Sequence, residues 1–241
     1  MADSIDSPHT NTLGQPIGFP VPDWKPAKVP GAGPLIGDYC RLEKVNLDVH
    51  GEDLFHAFLL DEDARNWTYL PYGPFETMEQ FRKWVQQTCL SSDPYFYSVV
   101  DRQSGRAVGI ASYLRINPAD GVVEVGHIHF SPLCQRTRIA SEAMYLMMKQ
   151  VFEECGYRRY EWKCDALNAP SRRAAERLGF SFEGVFRQLT MYKNRNRDTA
   201  WFAMVDAEWP RIRNGFSQWL SSDNFDSEGR QKRSLEACRT C

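Results

Sequence analysis

The 241-residue chain has no excess of charge of either sign: 29 lysines and arginines face 31 aspartates and glutamates, net −2. No strong field for nucleic acid or an anionic membrane follows from that balance. No apolar run approaches the roughly 20 residues needed to span a bilayer. The first 30 residues lack a basic start followed by an apolar stretch, which argues against a secretory signal. The five histidines show no ligand spacing, so no metal centre is expected. The seven cysteines are odd in number and form no framework of close pairs. That usage suits a reducing compartment, and a cytoplasmic location is expected. The terminal "CRTC" is formally a CxxC, and Cys238 stands four from the end. Arg239 and Thr240, however, are not the aliphatic residues a prenylation site wants.

What is present is a compact domain with two polar ends. Hydrophobic residues make up 42% of the chain and aromatics 13%, values of a globular protein. Seven of the fourteen prolines fall within residues 8–34. Residues 1–37 are therefore expected as an extended arm, laid over the domain by Phe19, Val21 and Trp24. Residues 220–241 are polar and apolar-poor, and a disordered tail is expected there. The folded domain is 38–219.

Within it, alternation predicts strands at 39–46, on both sides of a turn at 101–105, and at 122–130, 158–165, 182–188 and 199–205. Helical spacing predicts helices at 49–59, 77–90 (capped by Thr77), 138–155 and 168–178, the last stopped by Gly179. The order implies a mixed α/β sheet with a strand–loop–helix unit at its centre.

That unit, "FSPLCQRTRIASEAMYLMMKQVF" (130–152), carries Arg136 and Arg138 at a helix N-terminus, where the helix dipole disfavours positive charge. The free backbone N–H groups there form an anion site, and two arginines beside them would counter a phosphate. Solvent-facing arginines are the alternative. In the strand before it, "VVEVGHIHF", Glu124 is the single carboxylate on the face of Val122, Gly126, Ile128 and Phe130. Burial there would suit it as a base. His127 and His129 lie on the opposite face by strict alternation, unless Gly126 marks a bulge.

The segments "GHIHFSPLCQRT", "WKCDALNAPSRRAAERLGF", "EGVFR" and "KNRNRDTAW" together resemble the GNAT superfamily of N-acetyltransferases, in the branch of the ribosomal-protein alanine acetyltransferases. The likeness covers about residues 38–206. It implies an α/β (α+β) fold: a mixed, mostly antiparallel sheet flanked by helices, with a central strand–loop–helix acyl-CoA site. It also implies acetyl-CoA as co-substrate and no metal. The superfamily's pyrophosphate loop, Q/R-x-x-G-x-G/A, maps onto Gln135, Arg136, Thr137, Arg138, Ile139 and Ala140, with Arg138 in place of the first glycine. Glu124 then matches a proposed base, with His127 as a second candidate, and backbone donors near Ile128–Phe130 match an oxyanion site. Asn168 and Ser171 match residues that contact the pantetheine arm, and Arg172 and Arg173 face either coenzyme A phosphate or solvent. The tyrosine that many relatives carry seven residues after the Asn is here Ala175, which leaves solvent or Tyr192 to protonate the thiolate. Asp165 either reaches the site or serves a turn.

The expected activity is acetyl transfer to a primary amine by direct attack on the thioester. The aromatic segment 66–81 tilts the acceptor towards a small molecule. A peptide N-terminus and a silent acyl-CoA-binding module are the alternatives, with nucleic acid and membrane excluded and monomer or homodimer left open.

Overall fold

In the computed structural model, residues 9–31 and 33–240 are described; Cys241 of the terminal CxxC lies outside them. Strands β1 (His9–Thr10) and β2 (Pro16–Ile17) form a small hairpin in the arm. The domain follows in the order β3 (Leu35–Ile36), β4 (Cys40–Lys44), α1 (Leu47–Leu59), α2 (Met78–Trp84), β5 (Tyr95–Asp101), β6 (Ala107–Asn117) and β7 (Val122–Phe130). Then come α3 (Arg138–Lys149), β8 (Arg159–Asp165), α4 (Ala169–Leu178), β9 (Ser181–Tyr192), β10 (Arg195–Val205), α5 (Trp209–Leu220) and α6 (Leu235–Arg239). Helices α2 and α3 each run on into a π-helical turn, at Val85–Cys89 and Gln150–Cys155.

Eight strands form one sheet in the order β3-β4-β5-β6-β7-β8-β10-β9. Every neighbouring pair is antiparallel except β7 with β8. The alternation read in β5 and β6 has its physical cause here. Tyr97, Val99, Ala111 and Tyr113 pack in the core with α3, α4 and α5, while Phe96, Val100 and Ile110 pack with α1 and α2 on the other face. Thr77 caps α2 as its position predicts, its hydroxyl accepting from the Gln80 amide.

Three expectations are corrected. The 182–188 and 199–205 strands are one long hairpin, because Lys193 and Asn194 turn the chain with φ of 49° and 57°, the two left-handed residues of a tight two-residue turn. No element was predicted at Trp209–Leu220, which is helix α5. The tail is ordered: Leu235 and Cys238 of α6 are buried in the main core, and Asn224 donates to the carbonyls of Trp219 and Arg233. Few apolar residues hold it, which is why composition alone read it as disorder. It docks where α5 carries Gly215, at which a Cβ would lie 2.3 Å from Arg239 Cγ. In the arm, Trp24 alone of the three expected anchors is well seated. Its indole donates to the Ala119 carbonyl at 2.8 Å and fills the space over Gly121, while Phe19 and Val21 stay exposed.

The front of the domain hangs on one buried carboxylate. Glu142, on α3, accepts from the backbone amides of Asp38, Tyr39 and Cys40 at 2.8, 2.7 and 2.7 Å. It thereby holds the entry to β4 against the helix that follows the 131–137 loop. We expect Glu142→Ala to strand all three donors and cost roughly 3–5 kcal/mol, with Glu142→Gln costing less. Urea unfolding midpoints test this; a loss under about 1 kcal/mol would contradict it.

Candidate active site

Strands β7 and β8 pair in parallel only from Val122–Arg159 to Val125–Trp162, although each continues. Beyond that point they part, and the gap opens on two cavities. One, of about 1270 Å³, is lined by Phe130, Gln135 to Arg138, Ala140 and the start of α4. The other, of about 640 Å³, is lined by Arg115, Glu124, His127, Asp165, Tyr192 and Arg197 among others. Asn66, Tyr69, Ile128, Trp162, Asn168 and Ser171 line both, so the cavities meet between the strands.

The larger cavity receives the expected loop. Ser131 accepts from the amides of Cys134 and Gln135, and the Gln135 side chain donates to the Phe130 carbonyl at 2.8 Å. Thr137 precedes α3 with no side-chain cap, so the first-turn amides of this 12-residue helix keep their donors for an anion. The strained residue of the loop is Arg136, at φ 60°, whereas Arg138 is already helical. The missing glycine at 138 therefore costs no backbone strain. Arg138 lines this cavity and also reaches two rings at its edge. Its guanidinium lies 4.5 Å from the ring centres of both Tyr39 and Phe225 and donates to the Tyr39 hydroxyl. Held in this way, it leaves the helix start open. At α4, Asn168 caps the helix by accepting from the Ser171 amide, and Ser171 Oγ accepts from the Trp162 indole at 3.0 Å. Ala175 is fully buried in the core.

On the acceptor side the bulge inferred at Gly126 is present. Ile110 pairs with His129 and Ser112 with Gly126, which leaves His127, at φ 50°, and Ile128 without partners on β6. The extra residue breaks the alternation. Val123 and Val125 face the α3 core, but His127 and His129 turn to the aromatic side with Phe96, Phe58 and Trp67. His127 Nδ1 is 2.9 Å from the Tyr72 hydroxyl, and burial, with Arg115 and Arg197 nearby, lowers its pKa to about 4. His129 is stacked on Trp67, both ring nitrogens lack partners among the described residues, and burial lowers it to about 3.

Glu124 is buried as expected, but not alone. Its Oε2 takes Arg115 Nη1 at 2.7 Å and Lys163 Nζ at 2.9 Å. Lys163 also binds Glu161 at 2.8 Å and lies 3.7 Å from the Trp201 ring centre. Burial alone would raise Glu161, but the Lys163 and Arg159 hydrogen bonds outweigh it and hold its pKa below the ordinary value. Tyr192 donates to Asp165 Oδ2 at 2.8 Å; burial and that bond push the phenol up to about 12.

Sequence reasoning missed Arg115, Lys163 and Arg197. Strict alternation in "RRYEWKCD" turns Tyr160, Trp162 and Cys164 inward and leaves Lys163 on the other face. A central strand covered on both faces has no outside, and that was the available signal. The basic "KNRNR" joins β9 and β10 near the mouth of the smaller cavity. Lys193 Nζ donates to the Trp67 carbonyl and Arg195 to that of Thr68, clasping the hairpin to the segment over the cavity mouth.

A family description, acetyltransferase (GNAT) domain, matches residues 41–181, and the chain belongs to that family. It is an N-acetyltransferase, of a family that uses acetyl-CoA. A GCN5-related N-acetyltransferase from Brucella melitensis is 44% identical, with a TM-score of 0.90 over 92% of this chain and 100% of that one. The uncharacterized N-acetyltransferase YnaD of Bacillus subtilis strain 168 is 25% identical over 147 residues, 61% of this chain and 84% of YnaD. RimL, the ribosomal L7/L12 alpha-N-protein acetyltransferase in complex with coenzyme A, is 21% identical. Its TM-score is 0.58 over 72% of this chain and 99% of that one, a likeness of fold. No helix among the described residues is long and apolar enough to cross a membrane, and no cluster there fits a metal ion.

The depressed histidines make stability depend on acid. The unfolded chain takes up protons near the ordinary histidine pKa of roughly 6.5. His129 stays neutral down to about 3 and His127 down to about 4. Their contribution is thus whole above about pH 6.5 and lost as pH falls towards those values, by up to about 1.4 kcal/mol per pH unit for each. His129→Phe should match or exceed the wild type at pH 7.5 and be the more stable at pH 5. Urea midpoints that move in parallel at both pH values would refute this.

Proposed function

We propose that the protein transfers the acetyl group of acetyl-CoA to a small primary amine. The observation that carries this is the clasp over the smaller cavity. Lys193 and Arg195 hold the carbonyls of Trp67 and Thr68, and the Tyr69 hydroxyl donates to the Leu167 carbonyl. These contacts bridge the side along which a peptide would have to run. The about 640 Å³ beneath them suits a small molecule. No observation here favours a silent module.

The pantetheine arm lies in the gap between β7 and β8, past Asn168 and Ser171, with its pyrophosphate on the amides opening α3. The loop from Gln135 to Ala140 cradles it, with Phe130 at its base. The unpaired backbone at Ile128 polarises the thioester carbonyl. The amine nitrogen enters from the smaller cavity and attacks the carbonyl carbon. The C–S bond breaks, and the proton shed by nitrogen passes to Glu124, whose Oε2 is fixed by Arg115 and Lys163. Gly126 leaves room beside the carboxylate for Leu114, whose Cδ2 would lie 2.9 Å from a Cβ there. His127, neutral at pH 7, shapes the wall beside the nitrogen. Tyr192, held at about 12 and bonded to Asp165, is a poorer acid than a thiol near 8.5. It therefore orients Asp165, and solvent protonates the thiolate.

Coenzyme A release, measured with acetyl-CoA and a panel of amines and N-terminal peptides, tests this. We expect small amines to turn over and Glu124→Gln to lose roughly 10²–10⁴ in kcat at neutral pH. Part of the rate should return as rising pH frees more amine. Turnover of peptides alone, or a Gln variant as fast as wild type, would count against the reading.

A further inference from the structure

The charges on the acceptor cavity do not all cancel within the protein. Arg115, Glu124 and Lys163 satisfy one another, and Lys163 is completed by Glu161. Two groups are left over. The side chain of Arg197, on β10, makes no hydrogen bond or ion pair among the described residues; its Nε is buried and unpartnered, and its guanidinium lies 5.9 Å from the Tyr192 ring centre. Two residues on, Thr199 Oγ1 is also buried without a partner, and so is Trp201 Nε1 after it. All three side chains line the cavity. Beside them on β8, Asp165 pairs in register with Thr199; it is 6% exposed and takes two neutral donors, the Leu167 amide and the Tyr192 hydroxyl, but no cation among the described residues.

Buried donors left without acceptors, and a buried carboxylate without a counter-ion, are costly unless a ligand completes them. One ligand with a charge of each sign completes both. Resting on the small-amine reading, we propose that the acceptor carries a carboxylate as well as its amine, as a free amino acid does. Its carboxylate is held by Arg197 with Thr199 beside it, and its ammonium group is drawn in by Asp165. Arginine suits the first task because its fork of donors matches a carboxylate's two oxygens. A protein N-terminus offers the amine without the neighbouring carboxylate and leaves Arg197 unpaired.

The test compares free amino acids, their amides, the corresponding decarboxylated amines and short peptides as acceptors. It uses the full-length wild type, Arg197→Gln and Arg197→Lys. In the wild type, free amino acids should exceed their amides and decarboxylated amines by roughly ten- to a hundredfold in kcat/KM. Arg197→Gln should erase that advantage chiefly through KM, and Arg197→Lys should keep part of it. Acetyl-CoA affinity of each variant shows whether it has folded. Equal or better turnover of the amines that lack a carboxylate by wild type, or an advantage that survives Arg197→Gln in a variant that binds acetyl-CoA, overturns the inference while the small-amine reading stands. Turnover of peptides and of no small amine overturns both.

Discussion

The site depends on β7 and β8 parting after four residues of parallel pairing. Each strand keeps its other neighbour, β6 and β10, so the sheet survives the gap. Along the inner edges, backbone groups that a continued ladder would have paired face a cavity instead. Such groups need partners, and an extended amide-bearing arm is well suited to provide them. The same parting lets the two cavities meet at Ile128 and Trp162, and in the proposed reading acetyl-CoA and the acceptor meet there. A sheet zipped to its end would have neither a cofactor slot nor a place for nitrogen to attack carbon.

Two irregularities adapt the strands to that opening. The extra residue at His127 frees Ile128 from β6 and turns both histidines towards the aromatic cluster of α1 and α2. A second shift between Leu114 and Asn117 includes Arg115, at φ 50°, whose amide and that of Ile116 bond Asp93 while its side chain reaches Glu124. Around these points, charge runs in alternating sign from Arg115 through Glu124, Lys163, Glu161 and Arg159 to Glu183, across four strands. Removing Lys163 would take one cation from each of two buried carboxylates, Glu124 and Glu161, which is why the chain is costly to break at its centre. It fixes the floor of the acceptor cavity and leaves Arg197 and Asp165 as its unmatched charges.

Much of this was legible in the sequence, and the exceptions have definite causes. Strand alternation and helix stripes gave the central unit, because cores on both faces impose those periods. Asn168 and Thr77 were readable as caps because capping is a local chemistry. Glu124 stood out as one carboxylate in an apolar strand, yet its partners did not, since Arg115 and Lys163 come from neighbouring strands that only the sheet order brings beside it. Glu142 carries no local signal, because its three backbone partners lie about a hundred positions away. The tail was misread for the opposite reason. Its two buried apolar side chains are too few to shift composition, but a glycine on α5 and a satisfied Asn224 are enough to seat it.

The most direct test of the account is a crystal structure with a non-transferable acetyl-CoA analogue. The account places the thioester mimic between β7 and β8, its carbonyl oxygen within hydrogen-bond distance of the Ile128 amide and its pyrophosphate on the first turn of α3. An analogue bound elsewhere, or one seated there with its carbonyl turned away from Ile128 and Glu124, would contradict it.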